Sequence, residues 1–191
     1  MIPRAESAHW AAAAIALLIG LLLLAEAIVG TEVFRRRAWR AYLFPGVVLV
    51  SSVLLWVITI FSTFSTMHLL AHAIWAQAAL LAGAVQLAAV RGKLESPSWS
   101  LVPALALLVS GAAFLVHEQN DWLYSRAAFL HHAIGWMLVF AALFPLGQAL
   151  RPRRVVVWQA GFALTFVLLA VLLFADRDAA PIFGRYGMGG P

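Results

Sequence analysis

The chain has 191 residues, of which 64% are hydrophobic and 11% charged, and its mean hydropathy of +0.93 lies far above that of soluble globular domains. Its formal charge of +5 does not indicate a nucleic-acid partner, because the basic residues lie in short runs between apolar segments. The absence of cysteine excludes disulfides, thiolate ligands and cysteine nucleophiles. Composition therefore predicts an all-α, polytopic integral membrane protein.

Six segments are long and apolar enough to cross a bilayer, because roughly 20 residues rising about 1.5 Å each cover a hydrocarbon core of about 30 Å. We expect transmembrane helices at about residues 9–34, 41–64, 66–90, 101–118, 126–150 and 155–175. They form one domain over residues 1–176, and a short extracytoplasmic tail follows over residues 177–191. Pro145 predicts a kink near the end of the fifth helix.

The distribution of Lys and Arg among the loops predicts the orientation of the chain. The loops after the first, third and fifth helices hold four, two and three of these residues, whereas the opposite side holds Arg4, Arg126, Arg177 and Arg185. Because basic loops tend to remain in the cytoplasm, both termini are expected to be extracytoplasmic. We therefore expect a protein of the cytoplasmic (inner) membrane of a bacterium, surrounded by the lipid bilayer.

Five of the six histidines are predicted to share one depth, near the outer ends of three helices. They are His68 and His72 at the start of the third helix, His117 at the end of the fourth, and His131 and His132 near the start of the fifth. Polar groups in a bilayer are costly and usually functional, and imidazole is the commonest protein ligand of Zn, Cu and Fe. The layer therefore predicts a metal or haem site, and the alternative is a set of hydrogen-bonded interfacial histidines.

Two kinds of centre fit these histidines. A b-type haem would take axial ligands from two helices, with His72 and His132 as the expected pair. A copper or zinc ion would need three or four of the five imidazoles. Either centre would serve metal handling or electron transfer at the outer face, with a quinol or a periplasmic redox carrier as the partner.

An intramembrane enzyme is a second hypothesis. Glu118 and Asp121 follow the histidine of the fourth helix and could act as the general base on a metal-bound water. Such a site would suit the hydrolysis of a lipid-like substrate. A third hypothesis, which the short loops leave open, is a cofactor-holding or accessory subunit of a larger membrane complex.

Glu26 lies within the first predicted helix, at roughly mid-membrane depth. A carboxylate at that depth is expected to be neutral or paired. It either marks a proton or quinone path or is a neutral acid that hydrogen-bonds to Gln86 or Ser52.

The arrangement His68-x3-His72, His117-Glu118 and His131-His132 resembles that of the copper-resistance D membrane proteins and the broader cytochrome-b561-like proteins. The resemblance covers about residues 66–136 and rests on the placement of the histidines. It implies copper handling or the binding of haem b. The chain lacks the inner-side histidines of the two-haem pattern in the second group.

Overall fold

The computed structural model describes residues 4–62, 66–116, 126–151 and 155–175, and these residues form helices and no strands. The α-helices are α1 (Arg4–Val29), α2 (Thr31–Arg35), α3 (Leu43–Ser62), α4 (Thr66–Val90), α5 (Leu101–Val116), α6 (Arg126–Ala141), α7 (Leu143–Leu150) and α8 (Val155–Ala175). Short 3₁₀ helices cover Ala38–Tyr42 and Pro97–Ser100.

Six segments are long and apolar enough to span a membrane, which confirms the all-α polytopic class. They are His9–Val29, Ala38–Ile60, Leu69–Val90, Pro97–Val116, Phe129–Leu150 and Val156–Ala175. Many large apolar side chains on these segments are exposed on the outside of the bundle. A lipid environment explains that exposure, because acyl chains cover such surfaces.

Two of the predicted helices are interrupted. The first ends at Val29, because Gly30 adopts a φ of +87°, and the chain then turns into the separate helix α2. A side chain at this φ would be strained, so only glycine makes the break readily. The fifth is interrupted at Ala142, and Pro145 lies in the first turn of α7, where its missing N–H costs little. The interruption lies at the place where Pro145 predicted a kink, one turn before the proline.

The spanning helices form a ring in the order α1, α8, α6, α5, α4, α3, and α3 closes the ring on α1. The seam between α1 and α3 is the loosest of the six. Glycines allow neighbouring helices to approach each other closely. A Cβ on Gly111 of α5 would lie 2.8 Å from the backbone oxygen of Gly135 on α6, and one on Gly20 of α1 would lie 3.0 Å from the backbone nitrogen of Val167 on α8.

Alanine makes up 11 of the 17 buried hydrophobic residues in the described part of the chain. One cluster joins α1, α6 and α8 through Ala13, Ala16, Ile134, Leu169, Ala170 and Leu173. A second cluster joins α1 and α8 through Ile19, Leu23 and Ala163. Small side chains let helix backbones approach closely, which is how helices associate when the surroundings are as apolar as the core.

The bundle has two chemically distinct ends. The histidine end carries His9, His72, His131 and His132, which lie near the helix termini on one side. The arginine end carries the basic loop residues on the other side, namely Arg35, Arg36, Arg37, Arg40, Arg91, Lys93 and Arg151. Each end holds a distinct cluster of polar groups.

Candidate functional site

His9 and His131 face each other at the histidine end. Each lies about one helical turn before a core residue of its own helix, Ala13 in α1 and Ile134 in α6, and these residues pack in the same cluster. Residues three or four apart share a helix face, so the packing that joins α1 and α6 also brings the two imidazoles together. Their ring centroids are 5.7 Å apart, with an interplanar angle of 74°, and both side chains are half-buried.

The His9–His131 pair continues into a row of aromatic rings. His131 lies 5.7 Å from Phe114 on α5, and Phe114 stacks on Trp75 of α4 at 4.2 Å. Trp75 in turn meets His72 edge to face at 4.7 Å, all distances being between ring centroids. The aromatic row His9–His131–Phe114–Trp75–His72 therefore connects four of the six spanning helices.

A hydrogen bond between helices holds the middle of the aromatic row. The indole Nε1 of Trp75 donates to the carbonyl oxygen of Ser110 on α5, at 3.2 Å. An indole N–H in apolar surroundings needs such an acceptor, and the bond fixes the direction in which the ring points. Trp75 therefore faces α5, whereas Gly83, two turns further along α4, packs against Leu49 of α3.

The predicted ligands fall into three groups. His72 and His131 are half-buried members of the aromatic row, whereas His132 is exposed. His68 lies in the first turn of α4, but its side chain lies outside the described part of the chain, as does the whole of His117. Among the side chains that the structure describes, no group of three or more His, Cys, Asp or Glu lies close enough to hold a metal ion.

The sequence interpretation did not include His9 among the ligands. The signal was present, because the first predicted helix begins at about residue 9 on the outer side, the same depth as the other five histidines. His9 was omitted because the predicted layer was defined by histidines close together in sequence, and His9 stands 59 residues before His68, the next histidine in the chain. The proximity to His131 depends on α1 packing beside α6 and α8.

The residues proposed for hydrolysis cannot be placed in the same way. Glu118 and Asp121, the predicted general bases, lie outside the described residues. The hydrolase hypothesis therefore stays a prediction.

The predicted hydrogen-bond partners of Glu26 were wrong. The carboxylate Oε1 accepts a hydrogen bond from Nε of Arg35 at 2.8 Å. Glu26 lies one turn before the end of α1, close to the arginine end, and is buried. Ser52 instead donates to the carbonyl oxygen of Leu49 in its own helix, because a buried hydroxyl can always reach back one turn. Gln86 lines the same cavity as Glu26.

The fold and the polar groups at its two ends define a polytopic membrane protein with six helices able to span the bilayer. No protein-family model, curated protein or solved structure matches this chain. The resemblance to copper-resistance D and cytochrome-b561-like proteins therefore stays a prediction that rests on histidine placement.

Proposed function

We propose that the histidine end binds one transition-metal ion, copper or zinc, with His9 and His131 as two of its ligands. The ion would serve metal handling or electron transfer at the extracytoplasmic face. The observation that carries the proposal is the approach of two half-buried imidazoles from different helices. Polar side chains in membrane helices are costly and usually functional, and imidazole is the commonest protein ligand of transition metals.

The separation of the two rings fits a shared ion. A metal–nitrogen bond of about 2.0 Å places an ion about 3 Å from each ring centre, so two imidazoles on one ion have centres roughly 5 to 6 Å apart. The centroids of His9 and His131 are 5.7 Å apart. Imidazole suits copper and zinc alike, so this geometry does not choose between them.

A bare ion is supported better than a haem. A haem between two axial imidazoles also needs a slot for the porphyrin. Ala13 and Ile134, one turn further along α1 and α6, pack together below the His9–His131 pair, and Phe114 lies 5.7 Å from His131 on the other side, between ring centroids. The aromatic row would exclude water from the ion and hold both imidazoles in place.

Further ligands would come from residues that the sequence analysis singled out. A structural zinc site has four ligands and a catalytic one has three from the protein. His68, His117 and Glu118 are the candidates, and their side chains lie outside the described residues. A quinol, a periplasmic carrier or a larger membrane complex remains the proposed partner.

Metal analysis and an optical spectrum of the same purified sample test the proposal. We expect about one copper or zinc per chain, lost on chelation, and a strong loss of metal in both His9→Ala and His131→Ala. His132→Ala is the matched control, because this side chain is exposed on the same helix. Equal loss in the control would show that a different set of histidines binds the ion. A Soret band that disappears in His72→Ala and His132→Ala would establish haem instead.

A further inference from the structure

A cavity of about 380 Å³ opens at the arginine end, on the opposite side of the bundle from the histidines. It is lined by residues of α1, α2, α3, α4, α5, α7 and α8 and by the segment 94–100. Its volume lies within the range of about 300 to 1,000 Å³ that is typical of sites for small ligands. The cavity is independent of the proposed metal site.

The ion pair of Glu26 and Arg35 lies in the wall of this cavity. The Glu26 side chain is only 8% exposed, whereas the Arg35 side chain is 43% exposed. The bond between them uses Nε of Arg35 and Oε1 of Glu26. Neither Nη nitrogen of Arg35, nor Oε2 of Glu26, has a partner among the described residues. The wall therefore presents a guanidinium fork beside a buried carboxylate oxygen.

Amide groups from three other helices complete the polar part of the wall. Gln86 of α4 and Gln148 of α7 make no hydrogen bond within the described residues, and Gln159 of α8 meets only the Thr31 hydroxyl, at 3.5 Å. All three side chains are half-buried and line the cavity, where water or a polar ligand can bond to them. The cavity thus offers several hydrogen-bond donors and acceptors to a polar ligand.

The charges restrict the kind of ligand. An isolated anion at Arg35 would meet the carboxylate of Glu26, and an isolated cation at Glu26 would meet the guanidinium. A ligand with both charges satisfies both groups, because a guanidinium fork binds a phosphate through two parallel hydrogen bonds and a carboxylate accepts from an ammonium. A zwitterion that carries a phosphate and an ammonium group is therefore the best match.

The position of the cavity points to a membrane lipid as the source of this zwitterion. The basic residues Arg36, Arg37, Arg91 and Lys93 lie at the same end, where positively charged residues meet lipid phosphates. Trp99 and Trp158 line the cavity, and tryptophan is enriched at the level of the headgroups. The loosest seam of the ring, between α1 and α3, also borders the cavity through Leu23 and Phe44, and acyl chains can leave there.

We propose that the cavity at the arginine end binds a phosphatidylethanolamine molecule, with its phosphate on Arg35 and its ammonium group on Glu26. The primary ammonium group matters, because the quaternary ammonium of phosphatidylcholine has no N–H to donate. Phosphatidylglycerol carries the phosphate without any cation. Comparing the binding of the three lipids therefore tests the phosphate contact at Arg35 and the ammonium contact at Glu26 separately.

Native mass spectrometry of the full chain, purified in detergent with equal amounts of the three lipids, tests the proposal. We expect retention of phosphatidylethanolamine about tenfold above either of the others, a ratio that one or two charge-assisted hydrogen bonds supply. Glu26→Gln/Arg35→Gln should abolish the preference. Glu32→Gln and Arg36→Gln should keep it, because both side chains are exposed at the same end and do not line the cavity.

Three outcomes would overturn the proposal. Equal retention of phosphatidylglycerol would remove the role of Glu26, and equal retention of phosphatidylcholine would remove the need for N–H donors. Soluble glycerophosphoethanolamine should bind more weakly than the lipid, since it lacks the acyl chains, and equal binding would show that the ligand is not a lipid. If the double variant does not fold, the comparison of lipids on the natural chain still decides the matter.

Discussion

The ion pair between Glu26 and Arg35 depends on the break at Gly30. In an uninterrupted helix, residues nine apart are turned by about 180° and separated by about 13 Å along the axis, so their side chains cannot meet. The positive φ of Gly30, +87°, ends α1 and redirects the chain into α2, from which Arg35 reaches the buried carboxylate. The break at Gly30 therefore allows the carboxylate of Glu26 to be buried at this end of the bundle, because it brings Arg35 within reach as its partner.

Loss of Arg35 should be more damaging than loss of both charges together. Removing one partner of a fully buried pair costs roughly 3 to 5 kcal/mol, and the partial exposure of Arg35 should reduce this to about 1 to 3 kcal/mol. We expect Arg35→Gln to lower the free energy of unfolding by that amount and Glu26→Gln/Arg35→Gln to lower it less.

Denaturant unfolding in detergent, followed by circular dichroism, measures these differences. Arg36→Gln serves as the control, because Arg36 is exposed one residue away and should change little. An effect of Arg35→Gln no larger than that of Arg36→Gln would contradict the assignment of a structural ion pair.

At the scale of helices, the glycines of α5 and α6 set the distance between two neighbours of the ring. A Cβ on Gly111 would lie 2.8 Å from the backbone oxygen of Gly135 and equally close to Val139. Backbone atoms cannot move aside as the end of a flexible side chain can, so the contact must be relieved by separating the helices. That separation would also disturb Phe114 and His131, which meet across the same seam.

Gly111→Ala should therefore destabilise the protein by about 1 to 3 kcal/mol, as overpacking of a close interface does. Gly46→Ala provides the matched control, since a Cβ there would meet no atom within 4 Å and Gly46 lies within α3. Alanine favours a helix over glycine by about 1 kcal/mol, so the control should be neutral or stabilising. The two variants are compared by thermal unfolding, and equal destabilisation would show that the α5–α6 approach is not the cause.

At the scale of the whole molecule, an apolar band separates two polar ends of different chemistry. Histidine and aromatic rings occupy one end, whereas the arginines, a lysine and the cavity occupy the other. Because basic loops tend to remain in the cytoplasm, the proposed metal would face the extracytoplasmic space and the cavity would open towards the cytoplasm.

Cysteine labelling tests this orientation, and the absence of natural cysteine removes any background. We expect Met188→Cys, in the predicted extracytoplasmic tail, to react with a membrane-impermeant maleimide in intact cells. Ser96→Cys, at an exposed position of the arginine end, should react only after the membrane is opened. The reverse pattern would invert the orientation and place the histidine end in the cytoplasm.

The spans could be predicted because each depends on the composition of a single segment. The apolar content of 20 consecutive residues determines whether a helix can cross a bilayer, whatever its neighbours are. Pro145 indicated a kink for the same local reason, since proline lacks an N–H. The helix break at Gly30 could not be predicted in this way, because glycine is common in membrane helices and its φ cannot be inferred from its identity.

The inward direction of each side chain could not be predicted from one helix alone. His131 and His132 differ by about 100° around α6, and either could have faced the centre. Only the packing of Ile134 against α1 and α8 turns His131 inward and leaves His132 exposed. The sequence interpretation therefore placed the histidine layer at one end but could not choose its members.

By itself, the sequence determined the membrane class, the six spans and the position of most histidines near helix ends, because transfer into lipid is a local and additive property of the chain. Only the tertiary structure decided that His9 meets His131 and that Glu26 binds Arg35. The physical reason is that both pairs depend on which helices become neighbours and on where a helix breaks. Close packing of small residues sets the first, and the conformation of one glycine sets the second.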